Sequence, residues 1–258
     1  MRKTFVIKVL YGGLGDHLFY SHLPRIAKQN CGYERVLVSN QSEFRNQEYK
    51  RLVWESNPFV DGFTDEDAPY PFVDRIPPGT NLLDGIMRCR GLDDGKSFHE
   101  PEVFFSPPKD SSLVNATVYD PNYVSYVGSL NPEHVEQYFE ASGGMPDYML
   151  EFRGKGAPLR RYGDVIRTKG LDHYCSVIVS ARRFICLTSG GATLAAALGV
   201  PVTALWGHGQ DSAFHHSRLH TYINVNPSFL QRHYPVVAAR TEKLEKALKR
   251  SVIRLAGM

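Results

Sequence analysis

Apolar and polar positions alternate along the chain in a way that predicts a repeated strand–helix pattern. Thr4–Leu10 is β-branched and apolar and predicts a buried strand. From Asp16 to Gln29, Leu18, Phe19, Leu23 and Ile26 fall at helical spacing. Arg35–Ser39 returns to strand, which completes a βαβ unit. Glu43–Glu55 predicts a further helix closed by Asn57–Pro58, and Val60–Thr64 a weak strand. Pro69, Pro71, Pro77 and Pro78 make 66–80 a loop, Asn81–Arg90 a short element near an edge, and Val103–Phe105 a strand before the loop at Pro107–Pro108.

The pattern then restarts. Ala116–Asp120 and Val124–Val127 are strand-like, Pro132–Ala141 is a helix capped by Asn131, and Tyr148–Phe152 is a strand. Leu171–Ala181 is helical, Arg183–Leu187 a strand, Thr193–Leu198 a helix ended by Gly199, and Val202–Trp206 a strand. Residues 241–254 read as a final amphipathic helix. The expected class is α/β, with two Rossmann-like domains facing a cleft. The expected divisions are 1–112, 113–235, and a terminal helix in 236–258 that returns to the first domain.

Composition narrows this little. The 258 residues are 42% hydrophobic and 22% charged, ordinary for a soluble protein with a sizeable core. A net charge of +3 permits an anionic ligand without demanding one. Cys31, Cys89, Cys175 and Cys186 are scattered and form no CxxC pair, so they read as reduced core thiols of a cytoplasmic protein. The first residues read as a strand rather than a signal peptide, and no stretch has the length of a membrane span.

Two glycine turns carry the candidate chemistry. Gly12, Gly13 and Gly15 end the first strand and are followed by Asp16 and His17. Ligands gather at such carboxyl ends, where glycine admits a close approach and a helix N-terminus offers free N–H groups. A dinucleotide fingerprint fails here, because Leu18 stands at the third glycine position and Ser39–Asn40, not an acid, ends the second strand. Asp16 reads either as a first-turn acid favoured by the helix dipole or as a general base, and one side chain can serve both. His17 is a candidate for orienting an acceptor, or a helix-surface residue. In the second turn Thr188, Ser189, Gly190, Gly191 and Ala192 open a small-faced helix and form a candidate cradle for a diphosphate, or simply a tight turn.

Those two segments resemble family 9 glycosyltransferases, the ADP-heptose:lipopolysaccharide heptosyltransferases. The family's Gly-x-x-Gly-Asp segment is matched by Gly12 to Asp16, and its second segment by Thr188 to Pro201 followed by Trp206–Gly207. The resemblance is best over 4–29 and 171–209. It implies a GT-B fold and an inverting, metal-independent transfer from a nucleoside-diphosphate sugar, with no further cofactor, to a saccharide or lipopolysaccharide-type acceptor. It implies Asp16 as base and the second turn as the donor-phosphate site. The family's Asp and His are replaced by Thr188 and Thr193, which puts ADP-heptose itself in question.

A cation should face the leaving diphosphate, and Arg153, Lys155, Arg160, Arg161 and Lys169 are candidates. The loop after Trp206 holds His208, Asp211, His215, His216 and His220 without a metal-binding spacing; His208 and Gln210 are candidate donor contacts instead. Two rivals stand beside this reading. One is transfer to a hydroxymethylated base in DNA, which lacks the expected stripe of basic and aromatic residues. The other is a non-catalytic nucleotide-sugar binding protein.

Overall fold

The computed structural model describes residues 3–69, 80–124, 127–153 and 161–226. Two parallel sheets organise them. The first has the order β1-β2-β3 (Thr4–Ile7, Arg35–Ser39, Gly62–Thr64). The second is built from β4 (Thr117–Asp120), β5 (Tyr148–Leu150), β6 (Asp164–Ile166), β7 (Arg183–Leu187), β8 (Thr203–Gly207) and β9 (Thr221–Asn226). Its order, β6-β5-β4-β7-β8-β9, is that of a doubly wound sheet, with the chain reversing direction across the sheet between β4 and β7.

The helix expected over 16–29 is two helices, α1 (Leu14–Leu18) and α2 (Leu23–Gln29). Pro24 lies at the start of α2, where its missing N–H costs nothing, whereas inside a continuous helix it would clash with the preceding turn. The third helix, α3, is short (Gln47–Tyr49), opened by Asn46, and continues as a wider π-helical stretch over Lys50–Glu55. The edge element is a helix, α4 (Leu82–Cys89), because the Asn81 side chain accepts from the N–H groups of Leu83 and Asp84. The strand expected at Val103–Phe105 is not formed; Val103 and Phe105 pack on the core. Of the strand expected at 124–127, Val124 is exposed, 125–126 lie outside the described residues, and Val127 forms no strand; its carbonyl accepts the N–H of Gly207.

The second half follows the expected order, with α5 (Pro132–Ala141), α6 (Leu171–Ser180) and α7 (Gly190–Ala197). Two strands were not foreseen. β6 is a three-residue, mostly exposed edge, and β9 alternates too weakly to stand out. One apolar cluster runs from Phe5, Ile7 and Trp54 through Val118, Leu150 and Cys186 to Ala204, so the sheets share a continuous core. The expected terminal helix lies outside the described residues, as do Lys155 and Arg160.

Candidate functional site

The strands of both sheets point their carboxyl ends into one cavity of about 330 Å³. Gly13, Leu14, Gly15 and Asp16 form one wall and Thr188 to Thr193 the opposite one. The two walls touch at their glycines. A methyl group built on Gly15 would lie 3.3 Å from Cα of Gly190, and one built on Gly190 would lie 3.1 Å from the Gly15 nitrogen. A side chain at either position would wedge the first turns of α1 and α7 apart.

Asp16 stands in the first turn of α1, half-buried at the cavity wall. Its Oδ2 accepts the Gly13 N–H at 3.1 Å. Burial raises its pKa above the usual carboxylate value, opposed by that hydrogen bond and by the Arg45 guanidinium. Both readings of this residue therefore fit one geometry: it closes the glycine turn and presents a carboxylate to the cavity.

In the facing turn, Ser189 is the N-cap of α7 and accepts the Gly191 N–H at 3.4 Å. The helix begins at Gly190, earlier than the spacing predicted. Thr188 Oγ1 donates to Gln210 Oε1 at 2.6 Å, and Gln210 Nε2 donates back to the Thr188 carbonyl at 3.4 Å, both residues being buried. Gln210 thus reaches the site by tying the loop after β8 to the turn after β7. Arg153 also lines the cavity; its guanidinium donates to the Thr168 carbonyl at 2.8 Å and hydroxyl at 3.0 Å.

Other candidates lie elsewhere. His17 is neither at the cavity nor on a helix surface but in the core, 0% exposed. Trp54 Nε1–H donates to its Nδ1 at 3.0 Å, its Nε2–H donates to the Glu43 carbonyl at 2.8 Å, and its ring stacks on Phe44. Burial lowers its pKa to about 4, as expected for a neutral ring with both nitrogens engaged. Gly12 is packed behind the turn, its carbonyl accepting the Arg45 N–H at 3.0 Å, so it shapes the loop rather than the cavity. His208 is exposed and pairs through its backbone with Ser129. Lys169 and Arg161 are exposed and outside the cavity wall.

The structure adds residues that the motifs did not mark. Asp120 ends β4 at the chain reversal, 2% exposed. Tyr174 donates to its Oδ2 at 2.5 Å, and the Asn122 backbone and side chain donate to its Oδ1 at 2.9 and 2.8 Å. Burial raises its pKa against those hydrogen bonds. An acid ending the first strand of a βα repeat was the available signal. Arg45 comes from the segment leading into α3 and Glu48 from α3 itself, where no sequence motif marks them. Glu48 Oε1 accepts the Leu171 N–H at 3.1 Å, capping α6 from the other half of the chain, and Arg51 pairs with Asp172 beside it. Among the described residues, no group of three or more His, Cys, Asp or Glu is placed to hold a metal ion, and no helix is long and apolar enough to cross a membrane.

No protein-family model and no curated protein matches the chain. Solved structures do. A family 9 glycosyl transferase from Veillonella parvula superposes with a TM-score of 0.57 over 93% of this chain and 90% of that one, at 11% identity. The chain has the fold of these enzymes. The iron-containing dodecameric glycosyltransferase TibC of enterotoxigenic E. coli gives a TM-score of 0.60 at 14% identity, over 86% of this chain and 63% of that chain. The E. coli heptosyltransferase WaaC with ADP gives 0.52 at 12% identity, over 95% of this chain and all (100%) of that one. The shared feature is a GT-B backbone, two parallel α/β sheets opening onto one cleft.

Proposed function

We propose that the protein is a glycosyltransferase that moves a sugar from a nucleoside-diphosphate sugar to an acceptor hydroxyl. One observation carries this reading: in a glycosyltransferase fold, Asp16 and the first turn of α7 face each other across a single cavity. Asp16 takes the proton of the acceptor hydroxyl as that oxygen attacks the anomeric carbon. The bond to the diphosphate oxygen breaks in the same displacement, which inverts the anomeric centre. The leaving diphosphate gains charge and is stabilised by the N–H groups of Gly190 and Ala192 at the positive end of α7, with Arg45 and Arg153 nearby. Each part of this scheme works without a metal ion. We assign a saccharide of the lipopolysaccharide type as acceptor, on the resemblance of the glycine turns. We infer a cytoplasmic setting, because all four cysteines are free thiols.

The test is a thermal-shift panel of ADP, UDP, GDP and CDP and their sugar conjugates, in EDTA. ADP heads the panel because the WaaC structure holds it. A rise in melting temperature with one diphosphate in EDTA names the donor base and supports metal-free binding. A rise seen with added divalent or ferrous ion and lost in EDTA would remove the metal-independent part. No rise with any member under either condition would overturn the reading.

A further inference from the structure

Phe214 lines the cavity, yet no part of the scheme above uses it. It is 38% exposed. Phe98 and Phe104 are exposed to a similar degree but lie away from the cavity wall. An apolar side chain open on an outer surface is ordinary, whereas one fixed at a cavity wall offers contact area to whatever fills the cavity.

The ring is fixed there. Phe214 ends a short helical turn, Ser212–Phe214, opened by the Asp211 side chain, which accepts the Ala213 N–H at 2.9 Å. The Phe214 N–H donates to the Asp211 carbonyl at 3.2 Å, and the Phe214 carbonyl accepts from His216 Nδ1 at 3.0 Å. Both backbone polar groups are thus committed to the turn, and the phenyl ring is the part left to face the cavity. Its centroid is 6.4 Å from that of the Phe19 ring. Phe19 caps α1 three residues after Asp16 and lines the same cavity. On the other side, Gln210 ties the loop of Phe214 to Thr188 at the α7 wall. Its contacts therefore run to both turns, that of the base and that of the diphosphate, and the sugar in transit lies between those two.

The hydroxyls of the facing turn are already engaged within the protein. Thr188 Oγ1 donates to Gln210 Oε1, Thr193 Oγ1 donates to the Ser189 carbonyl at 3.3 Å, and Ser189 Oγ accepts the Gly191 N–H at 3.4 Å. The resemblance to family 9 sets an Asp and a His at positions 188 and 193, side chains able to hold hydroxyl groups; here both are threonines turned to internal bonds. A sugar hydroxyl pressed against the Phe214 ring would lose its water without replacement, whereas a methyl group gains by burial. In a hexose the exocyclic carbon is where loss of a hydroxyl leaves a methyl. We propose that Phe214 is a specificity residue that packs on an apolar face of the transferred sugar and selects a 6-deoxyhexose over a sugar with a hydroxyl at that carbon. This rests on the glycosyltransferase reading.

The experiment measures dissociation constants by calorimetry for matched pairs, glucose with 6-deoxyglucose and mannose with 6-deoxymannose, each carried on ADP, UDP, GDP and CDP, beside the bare diphosphates. The proteins are the full chain, Phe214→Leu and Phe214→Gln. In the diphosphate series that binds, a 6-deoxy sugar should be held about tenfold tighter than its 6-hydroxy counterpart. Leucine, still apolar, should keep part of that preference. Glutamine offers the hydroxyl a partner and should abolish it, while the bare diphosphate is held as before. No preference for any 6-deoxy sugar in the full chain overturns the inference and leaves the glycosyltransferase reading intact. A preference that survives in Phe214→Gln, or an equal loss for the bare diphosphate, also overturns it, since selection then lies elsewhere or the ring is scaffold. Absence of binding of any nucleotide to the unaltered chain overturns the reading and the inference together.

Discussion

Gly15 and Gly190 meet back to back, and a methyl group on Gly190 would stand 3.1 Å from the Gly15 nitrogen. The two chain segments that carry the proposed chemistry are therefore held at a distance set by the absence of side chains. The obstacle is backbone, which cannot swing aside as a flexible side chain would. Gly190→Ala is expected to cost about 1–3 kcal/mol of stability through overpacking. A larger residue such as valine should do more and weaken diphosphate binding, because it wedges the α1 and α7 turns apart. Melting temperature and nucleotide-induced shift, measured on both variants, check this; a Gly190→Val protein that behaves as the parent would show that the contact is not made.

Asp16 should separate activity from stability. Asp16→Asn is expected to lower turnover by about 10²–10⁴-fold while donor binding persists. The folded-state pKa is raised by burial, so the folded protein holds its proton more readily than the unfolded chain. Stability from this residue is therefore full below the unfolded value of 3.8 and falls as pH rises through the raised folded value. At neutral pH the variant should melt no lower than the parent. The parent's rate should rise with pH through that same raised value, as the base ionises. An Asp16→Asn enzyme with full turnover would end the base assignment.

His17 carries the opposite sign. Its folded pKa of about 4 lies below the ordinary 6.5, so the unfolded chain binds the proton first. Its contribution is intact above 6.5 and is lost as pH falls toward 4, at up to about 1.4 kcal/mol per pH unit. His22 and His216, lowered to about 3 and about 4, act in the same direction. Melting temperature should drop steadily between pH 6.5 and 4.5, and His17→Gln should flatten part of that slope. A melting temperature independent of pH across this window would contradict the buried, neutral ring.

Glu48 caps a helix that belongs to the other half of the chain. Glu48→Ala leaves the start of α6 without its acceptor and should cost about 0.5–2 kcal/mol, the usual value of a lost cap. Because Glu48 also lines the cavity, the loss should appear in the affinity for nucleotide as well as in the melting temperature. Glu48→Gln, which keeps one acceptor oxygen, should recover most of the stability. Equal melting temperatures for all three proteins would show that the cap contributes nothing.

Taken by itself, the sequence was enough to mark β1, β2, β7 and β8 and the two glycine turns, because each is a local pattern. An apolar run long enough to be buried, a turn that needs small residues and a small-faced helix are all written within about ten consecutive positions. Asp16 and the Thr188–Ala192 turn were legible for the same reason. Tertiary structure decided the rest. It split the 16–29 helix at Pro24, sent His17 inward to Trp54, and left Lys169 and His208 off the cavity wall. It also brought Arg45 and Glu48, Asp120 and His216 to one cavity from three segments far apart in chain order. Nothing local encodes such meetings. They follow from the order in which parallel strands are laid into the sheet, which places every carboxyl end, whatever its position in the chain, along the same edge.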